Sequence, residues 1–169
     1  MKSRLKICAL VLAVGTIALL QSCEWMTGIG PSPAVPDSTP SIRQGVYGFV
    51  EFWEGDFMPT YPPTSHSGTI RPVVRTIVIH TATRFDSVAR VGYSAFCSDI
   101  YTRRVATTIS NQLGFFQAEL PPGKYSLFAI EDSLFYANGG DGQGYLCPVT
   151  IKQDSLSFMR FTITYKATF

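Results

Sequence analysis

The chain has 169 residues, of which 15% are charged and 13% are aromatic. Since about a quarter of the residues in an ordinary soluble protein are charged, surface helices are disfavoured, and the many aromatic residues favour strands. With 14 basic and 12 acidic residues, the chain lacks the basic surface of a nucleic-acid-binding protein, so we exclude that function.

The first 22 residues have the features of a secretion signal. Lys2, Arg4 and Lys6 precede an almost wholly apolar stretch from Ile7 to Leu20. That stretch fits the apolar region of a signal peptide and is shorter than the about 20 residues that a membrane-spanning helix needs. Removing residues 1–22 leaves 11 basic and 12 acidic residues, a net charge of −1.

The signal ends in Leu20-Gln21-Ser22-Cys23, which resembles the bacterial lipobox. The resemblance implies cleavage before Cys23, a diacylglycerol thioether on its sulfur, and a further acyl group such as palmitate. An ordinary signal peptide that ends near a cysteine is the alternative. We expect a cell-envelope protein whose first partner is the membrane, the outer rather than the inner one. Glu24 is a single acid, so the periplasmic and the surface face both stay open.

The residues after Cys23 predict a tether. Four prolines lie between Thr27 and Arg43 and favour an extended, semi-rigid chain. We therefore divide the protein into a signal peptide at 1–22, a lipidated tether at 23–43 and one folded domain at 44–169. The mature chain, about 147 residues, is long enough for one substantial core.

Alternating apolar residues and turn signals predict an all-β domain. Residues 84–100 are expected to be irregular with a short helix, and Pro121-Pro122-Gly123 to be a tight turn with a positive φ at Gly123. The pattern favours a single antiparallel β-sandwich of about seven strands. The predicted strands are 45–53, 72–83, 103–110, 115–120, 124–130, 146–152 and 156–168.

Residues 114–127, GFFQAELPPGKYSL, are similar to the carboxypeptidase regulatory-like domain. Gly45-x-x-Gly48-x-Val50 and Pro72-Val73-Val74 fit the same family. The resemblance covers most of 44–169 and implies a transthyretin-like (prealbumin-like) sandwich, in a lipoprotein typical of Bacteroidota-type envelopes. It concerns the fold and implies no activity. The stretches 55–68 and 84–101 are longer than the family pattern, and they are where individual function is expected.

Two cysteines remain once Cys8 has left with the signal and Cys23 is lipidated. Outside the cytoplasm, Cys97 and Cys147 are expected to form a disulfide. Two small buried thiols are the alternative. No cysteine or histidine spacing predicts a metal site.

The chain contains no recognisable catalytic constellation. Its only histidines are His66 and His80, and neither belongs to a zinc-protease motif; a GxSxG nucleophile motif is also missing. We therefore expect no enzyme activity and no cofactor.

Aromatic residues near the predicted loops are the candidate ligand-binding side chains, since flat rings bind sugars and anchor protein interfaces. Ordinary packing under long loops is the alternative. The first hypothesis is a protein-interaction or scaffold module that binds another envelope protein, and the second is a carbohydrate-binding lipoprotein. The candidate residues are Trp53, Phe57, Tyr61, Phe135, Tyr136 and Tyr145.

Overall fold

Strands dominate the part of the chain that a computed structural model describes, residues 37–59 and 67–169. The predicted signal peptide, Cys23 and most of the tether lie outside these residues, as does Tyr61. Within the described residues, no helix is long and apolar enough to cross a membrane. The elements are β1 (Gly45–Asp56), β2 (Thr69–Pro72), β3 (Thr76–Thr81), the 3-10 turn η1 (Phe85–Ser87), β4 (Val88–Arg90), β5 (Phe96–Ile100), β6 (Arg104–Ile109), β7 (Phe115–Glu119), β8 (Gly123–Glu131), β9 (Leu134–Tyr136), β10 (Pro148–Ile151) and β11 (Leu156–Thr168).

The smaller sheet, sheet A, is built around β1. On one side β1 pairs with β11; on the other it pairs with β7 along its first half and with β2 along its second half. The pairing of β1 with β11 is parallel, whereas the other strand pairings of the described residues are antiparallel, as the predicted sandwich requires. Parallel pairing is possible because the whole domain lies between these two strands and serves as their connection.

The larger sheet, sheet B, has the strand order β4-β5-β9-β8-β3-β6, and β10 pairs with β8 beside β9. All its pairings are antiparallel. The turn between β8 and β9 has two residues, Asp132 and Ser133, both with positive φ. That geometry suits the right-handed twist of a two-residue hairpin.

The core lies between the two sheets, as expected for a β-sandwich. Every second residue of a strand points to the same face, and these faces are apolar and fully buried on the central strands. Burial of this apolar surface is the main stabilising term of the fold. The inward side chains include Val46, Val50, Phe52, Phe161 and Ile163 from sheet A and Ile77, Ile79, Leu127 and Ala129 from sheet B.

The all-β prediction is confirmed, and each of the seven predicted strands has a counterpart. The structure adds four short strands, β2, β4, β5 and β9. Two of these replace the irregular stretch predicted at 84–100, where only three residues form a 3-10 turn. Such short strands gain their stability from neighbours distant in sequence, so local periodicity does not reveal them.

The turn before β8 differs from its prediction. Gly123 has no positive φ and is the first residue of β8. A Cβ on Gly123 would lie 3.1 Å from the hydroxyl oxygen of Tyr125, and that hydroxyl donates a hydrogen bond to the Pro121 carbonyl oxygen at 2.9 Å. The glycine therefore makes room for a tyrosine that closes the turn.

Residues 37–43, assigned to the tether from the sequence, lie against β7. The Ser41 amide donates to Gln117 Oε1 at 2.8 Å, and Gln117 Nε2 donates to Ser41 Oγ at 2.7 Å. Nearer the start, Asn111 Nδ2 donates to the Asp37 carbonyl oxygen at 2.6 Å. Residues 37–43 therefore pack against the folded domain.

Gly48 is the residue that the β1–β11 pairing depends on most directly. A Cβ at this position would overlap the carbonyl of Met159 on β11. We expect Gly48→Ala to lower the free energy of unfolding by about 3 kcal/mol or more, because main-chain atoms cannot move aside as a side chain can. Urea unfolding of the mature chain measures this loss.

Gly142→Ala is the matched control, since Gly142 has a φ of +74° but open space around the added methyl. Its expected cost is only the left-handed strain, about 1 kcal/mol. Equal losses in the two variants would contradict the role given to Gly48.

Candidate binding surface

The six aromatic candidates lie in different parts of the molecule. Tyr61 falls outside the described residues. Trp53 and Phe57 lie at the end of β1 in sheet A, whereas Phe135 and Tyr136 belong to β9 and Tyr145 precedes β10 in sheet B. The structure therefore does not bring the described candidates into one site, and each group has to be judged separately.

Trp53 and Phe57 form a cluster with the last residue of the chain, Phe169. The ring centroids of Trp53 and Phe57 are 5.1 Å apart; those of Phe57 and Phe169 are 5.7 Å apart and nearly parallel. Because β11 runs parallel to β1, the chain end arrives here, and the Phe57 amide donates to the Thr168 carbonyl oxygen at 2.8 Å. We call Trp53, Phe57 and Phe169 the Trp53 cluster.

Further aromatic residues share the outward side of sheet A with this cluster. Tyr47 and Phe49 alternate with the buried residues of β1. Phe158 of β11 lies edge-on to Tyr47 at 5.4 Å, and Phe115 of β7 lies edge-on to Phe49 at 5.7 Å. Ile70 of β2 pairs with Trp53 and is 49% exposed, and Phe158 is 52% exposed. We call this side, with the Trp53 cluster at its end, the aromatic face of sheet A.

The charges on the aromatic face are paired with one another. Glu51 accepts a hydrogen bond from Trp53 Nε1 at 3.3 Å and lies 3.5 Å from Arg160 Nε. At the rim, Glu54 lies between Arg71 and Lys166, at 3.9 and 3.8 Å. Exposed pairs of this kind add little stability. Their effect is to leave the face close to neutral.

Sequence reasoning missed Phe169, Phe158, Tyr47 and Phe49 as parts of a surface. Alternation along β1 alone places Tyr47 and Phe49 beside Trp53, so that signal was available. The positions of Phe158 and Phe169 depend on the parallel register with β11, which no local pattern encodes.

Tyr136 is a core residue, so its assignment as a ligand-binding side chain was wrong. It is 1% exposed and packs edge-on against Phe96 and Tyr165 at 5.0 and 5.6 Å. Its hydroxyl accepts a hydrogen bond from the Thr164 amide at 3.0 Å. Phe135, the neighbouring candidate, is half-buried and packs against the core.

The carboxylate of Glu131 is buried next to Tyr165. Glu131 is 4% exposed and pairs with Arg75. It also accepts a hydrogen bond from the Tyr165 hydroxyl at 2.9 Å. Burial, with this hydrogen bond to Glu131, raises the pKa of Tyr165 to about 12. The Glu131 carboxylate has both an ion-pair partner and a hydrogen-bond donor, so it serves as a structural link between the two sheets.

Tyr145 is held by charges of the protein itself. Lys124 Nζ lies 3.7 Å from the ring centroid and Arg84 Cζ lies 5.2 Å from it. Asp141 pairs with Lys124 at 2.9 Å and accepts the Tyr145 amide at 3.2 Å. The hydrogen bond from Lys124 lowers the pKa of Asp141 to about 2. The glycine-rich loop 138–144 is therefore held against the Tyr145 ring by these contacts.

Cys97 and Cys147 are two separate buried thiols, and the predicted disulfide is not formed. The ring of Phe96 lies between the sheets. Because neighbouring residues of a strand point to opposite faces, Cys97 points to the other side of sheet B. There its thiol lies 3.5 Å from the Phe135 carbonyl oxygen. Cys147 lines an opening between the sheets beside Phe161, and its sulfur accepts the Gly139 amide at 3.2 Å.

His80 is likewise committed to the fold. It is 6% exposed, its Nδ1 donates to the Thr102 carbonyl oxygen at 2.9 Å, and burial lowers its pKa below the ordinary 6.5. His66 lies outside the described residues. Among the residues that the structure describes, no three His, Cys, Asp or Glu side chains group as metal ligands. The aromatic face is thus the surface that remains as the candidate site.

The two buried thiols give a direct chemical prediction. Burial raises the pKa of Cys97 and of Cys147 to about 11, and the thiolate is the reactive form. The folded mature chain is therefore expected to react slowly with Ellman's reagent at pH 8 and progressively faster towards pH 11. After unfolding in guanidinium, two thiols per mature chain should react at once. An unfolded chain without free thiols would show instead that the disulfide exists.

Comparisons with known proteins give no match on which a family assignment can rest. No family model matches the chain, and neither a curated protein nor a solved structure matches it significantly. The likeness of residues 114–127 to the carboxypeptidase regulatory-like domain stays an expectation from the sequence.

Proposed function

We propose that this protein is a non-catalytic lipoprotein of the cell envelope that binds another protein through the aromatic face of sheet A. In this proposal Cys23 carries the lipid anchor, and the β-sandwich is a carboxypeptidase regulatory-like interaction domain. The observation that carries the proposal is the aromatic face, where the rings of β1 are half-exposed and Phe158 of β11 is exposed on the outward side of one sheet.

The composition of this face is that of a protein interface. Protein contacts are enriched in Trp, Tyr, Phe and Arg at their centre, with few uncompensated charges. Tyr47, Phe49, Trp53 and Phe158 surround the paired Glu51 and Arg160. A partner covering this face buries large rings at low entropic cost, and it finds charges that are already neutralised.

The ring geometry favours a protein over a glycan as the ligand. A sugar-binding platform presents open ring faces. In the Trp53 cluster, however, Phe57 and Phe169 stack at an interplanar angle of 19°, and Trp53 tilts against both by less than 40°. Ring faces are thereby used within the cluster. Phe169 is 65% exposed. Because an exposed ring can still contact a sugar, carbohydrate binding is the second candidate function.

The lipid anchor is tested with a pair of cysteine variants. Metabolic labelling of the full chain with an alkyne analogue of palmitate is expected to label the wild type and Cys8→Ser, since Cys8 lies within the predicted signal. Cys23→Ser should lose the label and the detergent-phase partitioning. Labelling of Cys23→Ser at the wild-type level would refute lipidation at this residue.

The aromatic face is tested by photo-crosslinking in the intact envelope. We expect a crosslinker in place of Ile70, beside Trp53, to trap one protein of defined mass, and the same crosslinker in place of the fully exposed Tyr93 not to trap it. Trp53→Ala combined with Phe57→Ala should lower the yield of the crosslinked product at least tenfold, because anchor side chains carry most of the binding energy.

The matched control combines Tyr93→Ala with Tyr101→Ala, two exposed aromatic residues elsewhere on the domain, and should leave the crosslink intact. Equal loss in both double variants would contradict the assignment to this face. If instead the mature chain binds a sugar on a glycan array, and Trp53→Ala with Phe57→Ala abolishes that binding, the carbohydrate function replaces the protein-binding one.

A further inference from the structure

The outer edge of β11 carries main-chain groups that pair with nothing in the described chain. The Gly45 amide donates to the Ser155 carbonyl oxygen, and the parallel register continues from Gly45–Leu156 to Phe52–Ile163. In this register alternate residues of β11 face β1. The amides and carbonyls of Phe158, Arg160 and Thr162 therefore point away from β1, and no hydrogen bond among the described residues reaches them.

Two sets of hydrogen bonds mark the ends of this open stretch. At one end Ser157 Oγ donates to the Thr150 carbonyl oxygen at 2.6 Å. At the other, the Thr164 amide donates to the Tyr136 hydroxyl at 3.0 Å, and Asn138 Nδ2 donates to Thr164 Oγ1 at 2.8 Å. Residues 158–163 lie between them, a length of about 20 Å at the ordinary rise of a strand.

Beside the open stretch, the gap between the two sheets forms a cavity of about 330 Å³. Its inner wall includes Met159, Phe161 and Cys147, and its outer wall is the loop from Asn138 to Asp141. An extended chain lying along β11 would direct alternate side chains into this cavity and onto the aromatic face.

On the opposite side of sheet A, β7 has hydrogen-bond partners within the domain. There Ser41 hydrogen-bonds to the side chain of Gln117 on β7, and Thr108 Oγ1 of β6 donates to the Gln117 carbonyl oxygen at 2.9 Å. Proteins generally cover, shorten or interrupt an exposed strand edge, because it is a template for pairing with another chain. Here the Gln117 carbonyl oxygen of β7 is bound by Thr108, while the 13-residue β11 contains neither proline nor glycine to interrupt it.

We propose that the open edge of β11 binds an extended segment of a partner protein as an added strand. This inference rests on the proposed protein-binding function and deepens it by naming the form of the partner. The main-chain groups of Phe158, Arg160 and Thr162 bind the partner's main chain. One apolar side chain of the segment enters the cavity, and an acidic side chain lies against Arg160.

Charge selects a foreign strand over a second copy of this chain. β11 contains Arg160 and Lys166 and no acidic residue from Leu156 to Thr168. Arg160 is 60% exposed, and its one ion pair, to Glu51, is long. Two β11 strands side by side would bring like charges together, whereas an acidic side chain would give the exposed Arg160 a second partner beside Glu51.

The test begins with random twelve-residue peptides displayed on phage and selected against the full chain in detergent. We expect the bound peptides to alternate apolar with acidic residues. A selected peptide is then made in two forms, N-methylated on one or the other set of alternate amides. Only the set that faces β11 should abolish binding, because an added strand bonds along one edge.

Arg160→Pro removes one amide from the open edge and spares the pairing with β1, a position where strands tolerate proline. It should weaken peptide binding at least tenfold, whereas Arg160→Ala, which keeps the amide, should weaken binding only a few-fold. Near-ultraviolet circular dichroism checks the fold of both variants. If Arg160→Pro does not fold, the methylated peptides decide alone.

Several results would overturn the inference. They are a selection without edge-dependent binders, equal tolerance of both methylation patterns, or a dimer of the full chain that Arg160→Pro dissociates. The proposed function fails separately: its readout is the crosslink at position 70, which depends on Trp53 and Phe57. A retained crosslink with no edge binding refutes the added strand alone.

Discussion

The parallel pairing of β1 with β11 is the constraint on which the rest of the structure depends. It joins the first and last strands of the domain, and it requires the close main-chain approach that Gly48 permits beside Met159. The same pairing sets Phe158 beside Tyr47 and brings the chain end, Phe169, onto Phe57 and Trp53. It also fixes which main-chain groups of β11 point outward. The aromatic face and the open edge therefore both follow from one register.

Aromatic residues have two distinct roles in this fold. Inside, Phe52, Phe96, Tyr136 and Tyr165 interlock edge-on between the sheets, next to the buried Glu131. A buried carboxylate is costly unless it is paired and hydrogen-bonded, and Arg75 and Tyr165 meet that condition. Outside, rings of the same types lie half-exposed on sheet A, where the paired charges of Glu51 and Glu54 keep their surroundings neutral. The side of the sheet to which a ring points, rather than residue type, separates the structural rings from the candidate interface.

The aromatic face and the open edge meet on β11. Phe158 and Arg160 belong to the outward side of sheet A, and their main-chain groups belong to the open edge. A strand added to β11 would widen sheet A and place its own side chains next to Phe158. On the opposite side of the sheet, Ser41 binds the Gln117 side chain of β7 and Thr108 binds its carbonyl oxygen. The aromatic face and the open edge of β11 therefore lie side by side on sheet A, where one partner can contact both.

The sequence by itself determined the class of the fold and most of its long strands, because alternation between buried and exposed residues is a local property of each strand. Phe116 and Leu120 alternate with more exposed residues and are buried, and Tyr125, Leu127 and Ala129 of β8 are buried on one face. The sequence also indicated Trp53 and Phe57 as candidates. Only the tertiary structure decided that Tyr136 is buried, that Cys97 and Cys147 stay apart, that residues 37–43 pack against the domain, and that Phe169 joins Trp53. Each of these depends on which distant strands pair and in which register. That choice is made by the packing of the whole core, and no stretch of neighbouring residues encodes it.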